Sequence, residues 1–499
     1  MNSTFPKSIL IVGGGSAGWM TAAYLSRFLL GSGVSISVLE SPQIETVGVG
    51  EATIPPIRDF NLALGIDENT FIKQTKATFK LGIEFANWGK LGDRYFHPFG
   101  SLGRPTPIIP FHQYWIKLKQ LNSAASPAQF SLETQMAAME RFSKPSADRS
   151  SPLYGLGYAY HFDAARYAAF LSDFSAKYGV HKISGTVGEV FVDSNTGYID
   201  GLVLEDGQKL VADLYVDCTG FRSLLLGDAL KTGYESWGEE LLCDRAIAVP
   251  SSHVHTNPYT RSIAWTAGWQ WQIPLQHRTG NGLVYSSRYT SDEEALEFLL
   301  TQIEGQPLAD PKKISFHPGR REDFWVKNCV AIGLSAGFLE PLESTSIHLI
   351  QTAITRLFDA LSSGGVCDAT VRRFNQQVID SYTKAKDFVV LHYKLTQRKD
   401  SEFWERCGEI EISSNLSDKI SLYQNGGQIF RDNGELFDVT NWLAVFDGQG
   451  LLPGGHHPGI SRLTDIELRQ FMMDTAEVIK KAVLSMPKHF EYLAAANRS

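Results

Sequence analysis

No apolar stretch of this 499-residue chain approaches the roughly 20 residues that a membrane-crossing helix needs. The opening Met1-Asn2-Ser3-Thr4-Phe5-Pro6-Lys7 leads towards a strand without a signal-peptide core, so a cytoplasmic location is expected. Positive charge is also short: 46 Lys and Arg stand against 54 Asp and Glu, a formal net charge of −8. With no basic run to neutralise phosphates, nucleic-acid binding is excluded. The five cysteines (Cys218, Cys243, Cys329, Cys367 and Cys407) are odd in number, scattered, and without CxxC or Cys/His zinc spacing. They read as reduced and mostly structural, and no metal site is expected. Repeats and low-complexity tracts are absent. What is left is an ordinary soluble composition, 43% hydrophobic and 20% charged, in a chain long enough for two or three packed modules. Small-molecule chemistry is the default for such a chain.

The strongest feature that is present is Ile9-Leu10-Ile11-Val12 running into Gly13-x-Gly15-x-x-Gly18 and then the helix-like Trp19–Leu25. Strand, glycines and helix in that order form a dinucleotide fingerprint. The glycines allow a tight turn and close backbone approach, and the helix N-terminus, with Ser16 and Ala17 in its first turn, suits a pyrophosphate. A further strand, Val34–Leu39, ends in Glu40, about 20 residues beyond the last glycine, where a carboxylate would hold ribose hydroxyls. The following segment, Thr46-Val47-Gly48-Val49-Gly50-Glu51-Ala52-Thr53-Ile54-Pro55-Pro56, reads either as backbone pressed against a flat ring or ribose, or as a rigid turn.

Farther along, Phe79–Trp88 alternates, placing Phe79, Leu81, Ile83 and Phe85 on one face and Lys80 and Glu84 on the other, as in a half-buried strand with a solvated lysine face. Tyr95–Gly100 interleaves aromatics with His97, which reads as a ring-binding wall or a core histidine. Residues 120–152 turn rich in Ser, Ala, Pro and Lys and read as a surface excursion or a mobile loop. Asp163 is placed to cap a helix from Ala164 to about Tyr178. Strands over Thr186–Val192, Ile199–Glu205 and Gln208–Val216 then lead into Asp217-Cys218-Thr219-Gly220, a meander that moves the expected nucleotide from NAD towards FAD. In Trp269-Gln270-Trp271-Gln272-Ile273-Pro274 the two indoles share one strand face and pattern as core. Cys329–Phe338 is a third glycine-containing strand, and Pro341 with Ser344-Thr345-Ser346 marks a helix start suited to an anion beside Glu343. From about Asp368 the chain reads as mostly helical.

Gly13-x-Gly15-x-x-Gly18, Trp269-x-Trp271-x-Ile273-Pro274 and Glu340-Pro341-Leu342-Glu343-Ser344-Thr345 together resemble the flavin-dependent tryptophan halogenase family, with similarity in order and spacing over nearly the whole chain. The resemblance implies an α/β fold: an FAD-binding, Rossmann-type module of the two-dinucleotide-binding-domain kind, with an interleaved and mostly helical substrate module. The division is expected softly near residue 395, with 396–499 completing the substrate module. It further implies FAD, delivered as FADH2 by a separate NAD(P)H-dependent flavin reductase, with O2 and chloride or bromide. A flavin hydroperoxide oxidises the halide to hypohalous acid, which reaches a lysine beside an indole-like or other electron-rich aromatic substrate.

By the same resemblance that lysine is Lys80, and Glu343 stabilises the ring cation and takes its proton. Gly13, Gly15, Ser16, Ala17, Gly18, Glu40, Gly50, Glu51, Ala52, Gly333 and Leu334 bind the cofactor, and the halide lies at Thr345 and Ser346. His97, Phe99 and Pro55 line the substrate pocket, while Trp269 and Trp271 keep organic substrate from the flavin. Ser346 stands where relatives carry glycine, a departure that bears on halide geometry. The segment by which relatives grip the amino-acid part of tryptophan has no clear counterpart in Asn441–Phe446, so free tryptophan is not specified. The alternatives are an aromatic hydroxylase, against which the Trp-x-Trp-x-Ile-Pro run speaks, and a degenerate flavin binder, against which retention of Lys80 and Glu343 speaks. Nothing in the sequence decides between monomer and homodimer.

Overall fold

Four consecutive apolar residues make a strand that can be buried on both faces, and Ser8–Val12 is that strand. In the computed structural model, which describes residues 5–43, 50–121, 124, 126–362 and 365–498, it lies inside a six-stranded sheet. Ser35–Glu40 and Leu214–Asp217 flank it in parallel. His181–Ser184 extends one edge in parallel, and Cys329–Ala331 with the antiparallel Trp325–Val326 extends the other. The expected Thr46–Val49 part of the loop lies outside the described residues.

The chain forms two compact units, each gathered from three stretches. The first comprises Met1–Ala77, Phe162–Gly238 and Phe316–Thr383, and the second Thr78–His161, Glu239–Ser315 and Lys384–Ser499. The chain thus passes repeatedly from one unit to the other instead of dividing once near residue 395.

In the first unit, the helices Ser16–Phe28 and Ala164–Ala176 pack together, the latter capped as expected by Asp163, whose carboxylate accepts from the Arg166 N–H at 3.1 Å. The helix Ser346–Ser362 also packs on Ser16–Phe28 and buries Ile347, Ile350, Ile354, Leu357 and Leu361, the 3–4 spacing of an amphipathic helix. The antiparallel strands Val187–Val192, Ile199–Leu204 and Lys209–Leu210 form the expected meander before Leu214–Asp217.

The second unit holds helices together with a seven-stranded sheet. Its order is Lys312–Ser315, Arg245–Ser251, Thr279–Tyr285, Gly268–Pro274, Thr260–Trp265, Gly82–Ala86 and Arg94–Pro98. Two sequence expectations change here. Phe79–Trp88 is not one half-solvated strand: Thr78–Lys80 pairs with Ala159–His161, while Gly82–Ala86 pairs with Thr260–Ile263 and Arg94–Pro98. The break falls at Leu81, whose N–H donates to Pro258 O (2.7 Å) and whose carbonyl accepts from Phe99 (2.8 Å). Both faces of the first strand are covered, so alternation did not mean exposure. Residues 120–152 likewise contain helical turns at Pro127–Phe130 and Leu132–Ala138, with Phe130, Leu132 and Met136 buried and the Ser131 hydroxyl accepting from Thr134 N–H at 3.2 Å. Phe142 from the same stretch stacks on Phe79 at 3.9 Å between centroids. The Ser and Pro content marked caps and turns over residues 127–138, while residues 147–150 lie exposed as the composition suggested.

Candidate functional site

In the first unit the fingerprint is a built cradle. Gly13 has φ +119°, and a side chain there would collide with the Cys218 carbonyl; one at Gly18 would collide with the Gly13 carbonyl. Around Gly15, by contrast, there is open space. Gly15 is the N-cap of helix Ser16–Phe28 and offers no side-chain cap, so the first-turn amides of Ser16, Ala17 and Gly18 are left for an anion. Gly333, at φ +83°, places its α-carbon so close to Ala17 that an added Cβ would lie 2.8 Å from the alanine methyl. Leu334 beside it is exposed. The Glu40 side chain lies against Gly14 at the end of its strand, and Lys182 from the next strand pairs with it at 2.6 Å. The sequence reading missed Lys182, because only the register Val38↔Lys182 brings it there. Gly50 and Ala52 are buried in a short strand, and burial pushes the Glu51 carboxyl up to about 7. Pro55 precedes the helix Pro56–Leu64. Open amides, an anchored carboxylate and glycine-only contacts fit a dinucleotide such as FAD.

The meander's end is structural. Asp217 is buried, and its carboxylate accepts from the N–H groups of Thr219, Leu225 and Leu226 at 2.8–3.0 Å, fixing the turn that follows the strand. Later in the same unit, Pro341–Glu343 forms one 3₁₀ turn and Ser344 adopts left-handed backbone at φ +58°. The helix then starts at Ser346. Ser346 is not among the positive-φ residues, so the strained backbone of this turn falls on Ser344, and a serine at 346 sits in ordinary helical conformation. Glu343 is wholly buried, as is Glu340, which the sequence reading did not single out. The Thr345 hydroxyl is buried with no protein hydrogen-bond partner among the described residues. A donor so placed beside a helix N-terminus fits a small anion.

In the second unit Lys80 is 0% exposed. Its ammonium lies 5.1 Å from the centre of the Phe99 ring, within cation–π range. The strand that carries it is held from several sides. The Phe79 N–H donates to His489 Nε2 (3.3 Å), whose Nδ1–H donates to Thr256 O (2.7 Å). His161 bridges Thr78 and Thr260, at 2.9 Å to each hydroxyl. Since the Thr78 hydroxyl donates to Pro274 O (2.7 Å), it accepts from Nδ1–H of His161, leaving Nε2 to accept from Thr260. Burial, together with the Lys80 charge, holds His161 well below its usual range and therefore neutral.

His97 is buried against Phe388 and Phe437, with ring centroids 5.7 and 6.2 Å away. Phe437, stacked on Phe388 at 3.7 Å, and Trp442, whose indole donates to Glu435 at 3.1 Å, complete an aromatic wall. Neighbouring Arg94, Tyr95, Phe96 and Pro98 line a cavity of about 350 Å³ together with Thr440 and Leu443. Trp269 and Trp271 are both buried, at 6.1 Å between ring centroids, on a strand paired on both sides.

Glu133 was not foreseen. Buried, with Oε1 accepting from Gly157 N–H at 2.9 Å, it has a carboxyl pushed up to about 8 by burial. Because the folded pKa is raised above the ordinary 4.5, its contribution to stability is complete below about pH 4.5 and is lost as pH rises through about 8. Glu133→Gln, which keeps the acceptor and never ionises, is expected to match the parent near pH 4.5 and exceed it by on the order of 4 kcal/mol at pH 8.5. Melting temperatures of both proteins across that range check this; a difference independent of pH would contradict it.

Residues 8–465 match the family model described as tryptophan halogenase. A tryptophan 7-halogenase of Kutzneria sp. is 34% identical over 96% of this chain and 94% of its own length. Among solved structures, a flavin-dependent halogenase from Xanthomonas campestris is 41% identical with a TM-score of 0.95, and one from Brevundimonas sp. is 41% identical with a TM-score of 0.94. Each comparison covers 99% of both chains.

Proposed function

This chain belongs to the tryptophan halogenase family, and from that premise we propose that it is a flavin-dependent halogenase placing chlorine or bromine on an indole-like ring. The observation that carries the reading is the wholly buried Lys80 ammonium facing the Phe99 ring. Bound FADH2, supplied by a separate NAD(P)H-dependent reductase, provides with O2 the oxidising power that turns halide into hypohalous acid. The chain's own groups do the rest.

Gly13, Gly15, Ser16, Ala17 and Gly18 would hold the pyrophosphate, Glu40 the ribose, and Gly50–Ala52 with Gly333–Leu334 the remaining cofactor surface. Thr345 and Ser346 would receive the halide. Lys80 donates a hydrogen bond to the oxygen of hypohalous acid, or takes the halogen as a haloamine, so that the ring carbon attacks an electrophilic halogen and the oxygen leaves as water or hydroxide. Glu343 accepts the proton that the ring carbon then releases. His97 and Phe99 would face the aromatic substrate. Trp269 and Trp271 exclude it from the flavin by filling their strand's surroundings.

An indole or other electron-rich arene, including one within a larger molecule, is a better assignment than free tryptophan. Phe437 and Trp442 are buried in the aromatic wall and Glu435 is engaged by Lys419 at 3.1 Å, which leaves these groups committed to packing. Incubation with FAD, a flavin reductase, NADH and a panel of tryptophan, indole and larger indoles, each with chloride or bromide, tests the reading by mass spectrometry. A halogen isotope pattern that changes with the halide is expected. Gain of one oxygen under every halide would replace the reading with hydroxylation.

A further inference from the structure

The second unit carries a group of side chains that halogenation does not use. We propose that His253, His255 and Glu304 form a binding site for a divalent transition-metal ion of the zinc type. One nitrogen of each imidazole and one carboxylate oxygen all lie within 4.8 Å of one another. His253 Nε2 and Glu304 Oε2 are 3.5 Å apart, and the two imidazole centroids 4.4 Å apart. Ligand bonds of about 2.0–2.1 Å around a tetrahedral ion place neighbouring donor atoms about 3.3–3.5 Å apart. One donor pair already has that spacing, and the third donor lies within 4.8 Å of both.

The backbone beneath the three residues is built to hold them. His253-Val254-His255 follows the strand Arg245–Ser251, and the two imidazoles meet edge to face with their ring planes 66° apart. Glu304 arrives from a loop fastened to that strand end: Ser252 N–H donates to Gln306 O (2.9 Å), Gln306 N–H to the Ser252 hydroxyl (2.9 Å), and Leu308 N–H to Pro250 O (2.8 Å). The His253 carbonyl in turn accepts from the Thr279 hydroxyl at 2.6 Å. Gly305 has φ +80°, and a Cβ there would lie 2.7 Å from His253 N, so glycine lets the loop press directly on the histidine backbone.

A simple ion pair explains this arrangement less well. Two adjacent imidazoles repel when both are protonated, and one exposed carboxylate pairing with a histidine contributes little. Two imidazoles beside a carboxylate offer three donor atoms that one cation could share. The nitrogen-rich donor set selects zinc, copper or nickel over magnesium and calcium, which prefer oxygen throughout. Water would complete the coordination. An ion here would clip the Glu304 loop to the segment that leads directly into Thr256, whose carbonyl accepts from His489.

The test uses full-length, tag-free protein stripped with EDTA and titrated with zinc chloride by calorimetry, with competition against a chromophoric chelator. Saturable binding of a single zinc per chain, at roughly micromolar Kd or tighter, is expected. Because loss of an outer-shell partner alone weakens a metal site about 10–100-fold, His253→Ala and Glu304→Gln should each weaken binding at least about tenfold. His456→Ala, which alters a histidine held by Gln120 elsewhere in the unit, should leave it unchanged. X-ray absorption of the zinc-loaded protein should show nitrogen and oxygen ligands without sulfur. The proposal is overturned if a His253→Ala/His255→Ala double variant binds zinc as the parent does, or if the parent binds none at 100-fold excess.

Discussion

Lys80→Met is expected to lower the rate of product halogenation by about 10²–10⁴-fold while FAD binding and the melting profile stay close to those of the parent. Methionine fills most of the lysine's volume without its charge or its donors, so the loss reports chemistry and not a cavity. Other buried lysines serve different ends: Lys419 pairs with Glu435, Lys386 with Glu240, and Lys117 donates to the Leu463 carbonyl at 2.9 Å. Lys80 instead faces an aromatic ring on a strand held in place by His161 and His489. On the proposed division of roles the flavin half-reaction does not use the lysine. Hypohalous acid should therefore still form in the variant and escape, detectable by a scavenger dye, while the arene stays unmodified. Halogenation at the parental rate by Lys80→Met would reject the assignment of the lysine.

Glu343→Gln is expected to reduce kcat by about 10²–10⁴-fold, the usual worth of a positioned base, with little change in KM. The substitution preserves shape inside a fully buried turn, and it removes only the ability to hold negative charge and accept a proton. Its signature differs from that of the lysine variant, because the ring cation it would stabilise forms only after halogen transfer. Steady-state kinetics with the best arene from the panel, at matched FAD occupancy, separate the two roles. A raised KM with unchanged kcat would mean that Glu343 only holds substrate.

Much of the fold was legible because its signals are local. Asp163 capped its helix as read, since a cap needs only its own next three residues. The strand Ser8–Val12, the glycine turn and the helix Ser16–Phe28 followed from steric rules acting over a dozen residues. The errors occurred where a pattern had two meanings. Alternation in Phe79–Trp88 established which side chains share a face, but not that both faces would be covered, nor that Leu81 would turn the chain between two partners. The Ser- and Pro-rich composition of 120–152 was equally compatible with capped turns carrying Phe130, Met136 and Phe142 inward.

By itself, then, the sequence determined the glycine turn of the dinucleotide cradle and the family, because glycine conformational freedom, caps and short motifs act between near neighbours in the chain. Tertiary structure alone decided that Lys80 is shielded from water, that Lys182 holds Glu40, that Glu133 is buried, and that Glu304 lies beside His253 and His255. Those relations join residues tens to hundreds of positions apart. Burial and charge pairing depend on what packs across the gap, which no local period records.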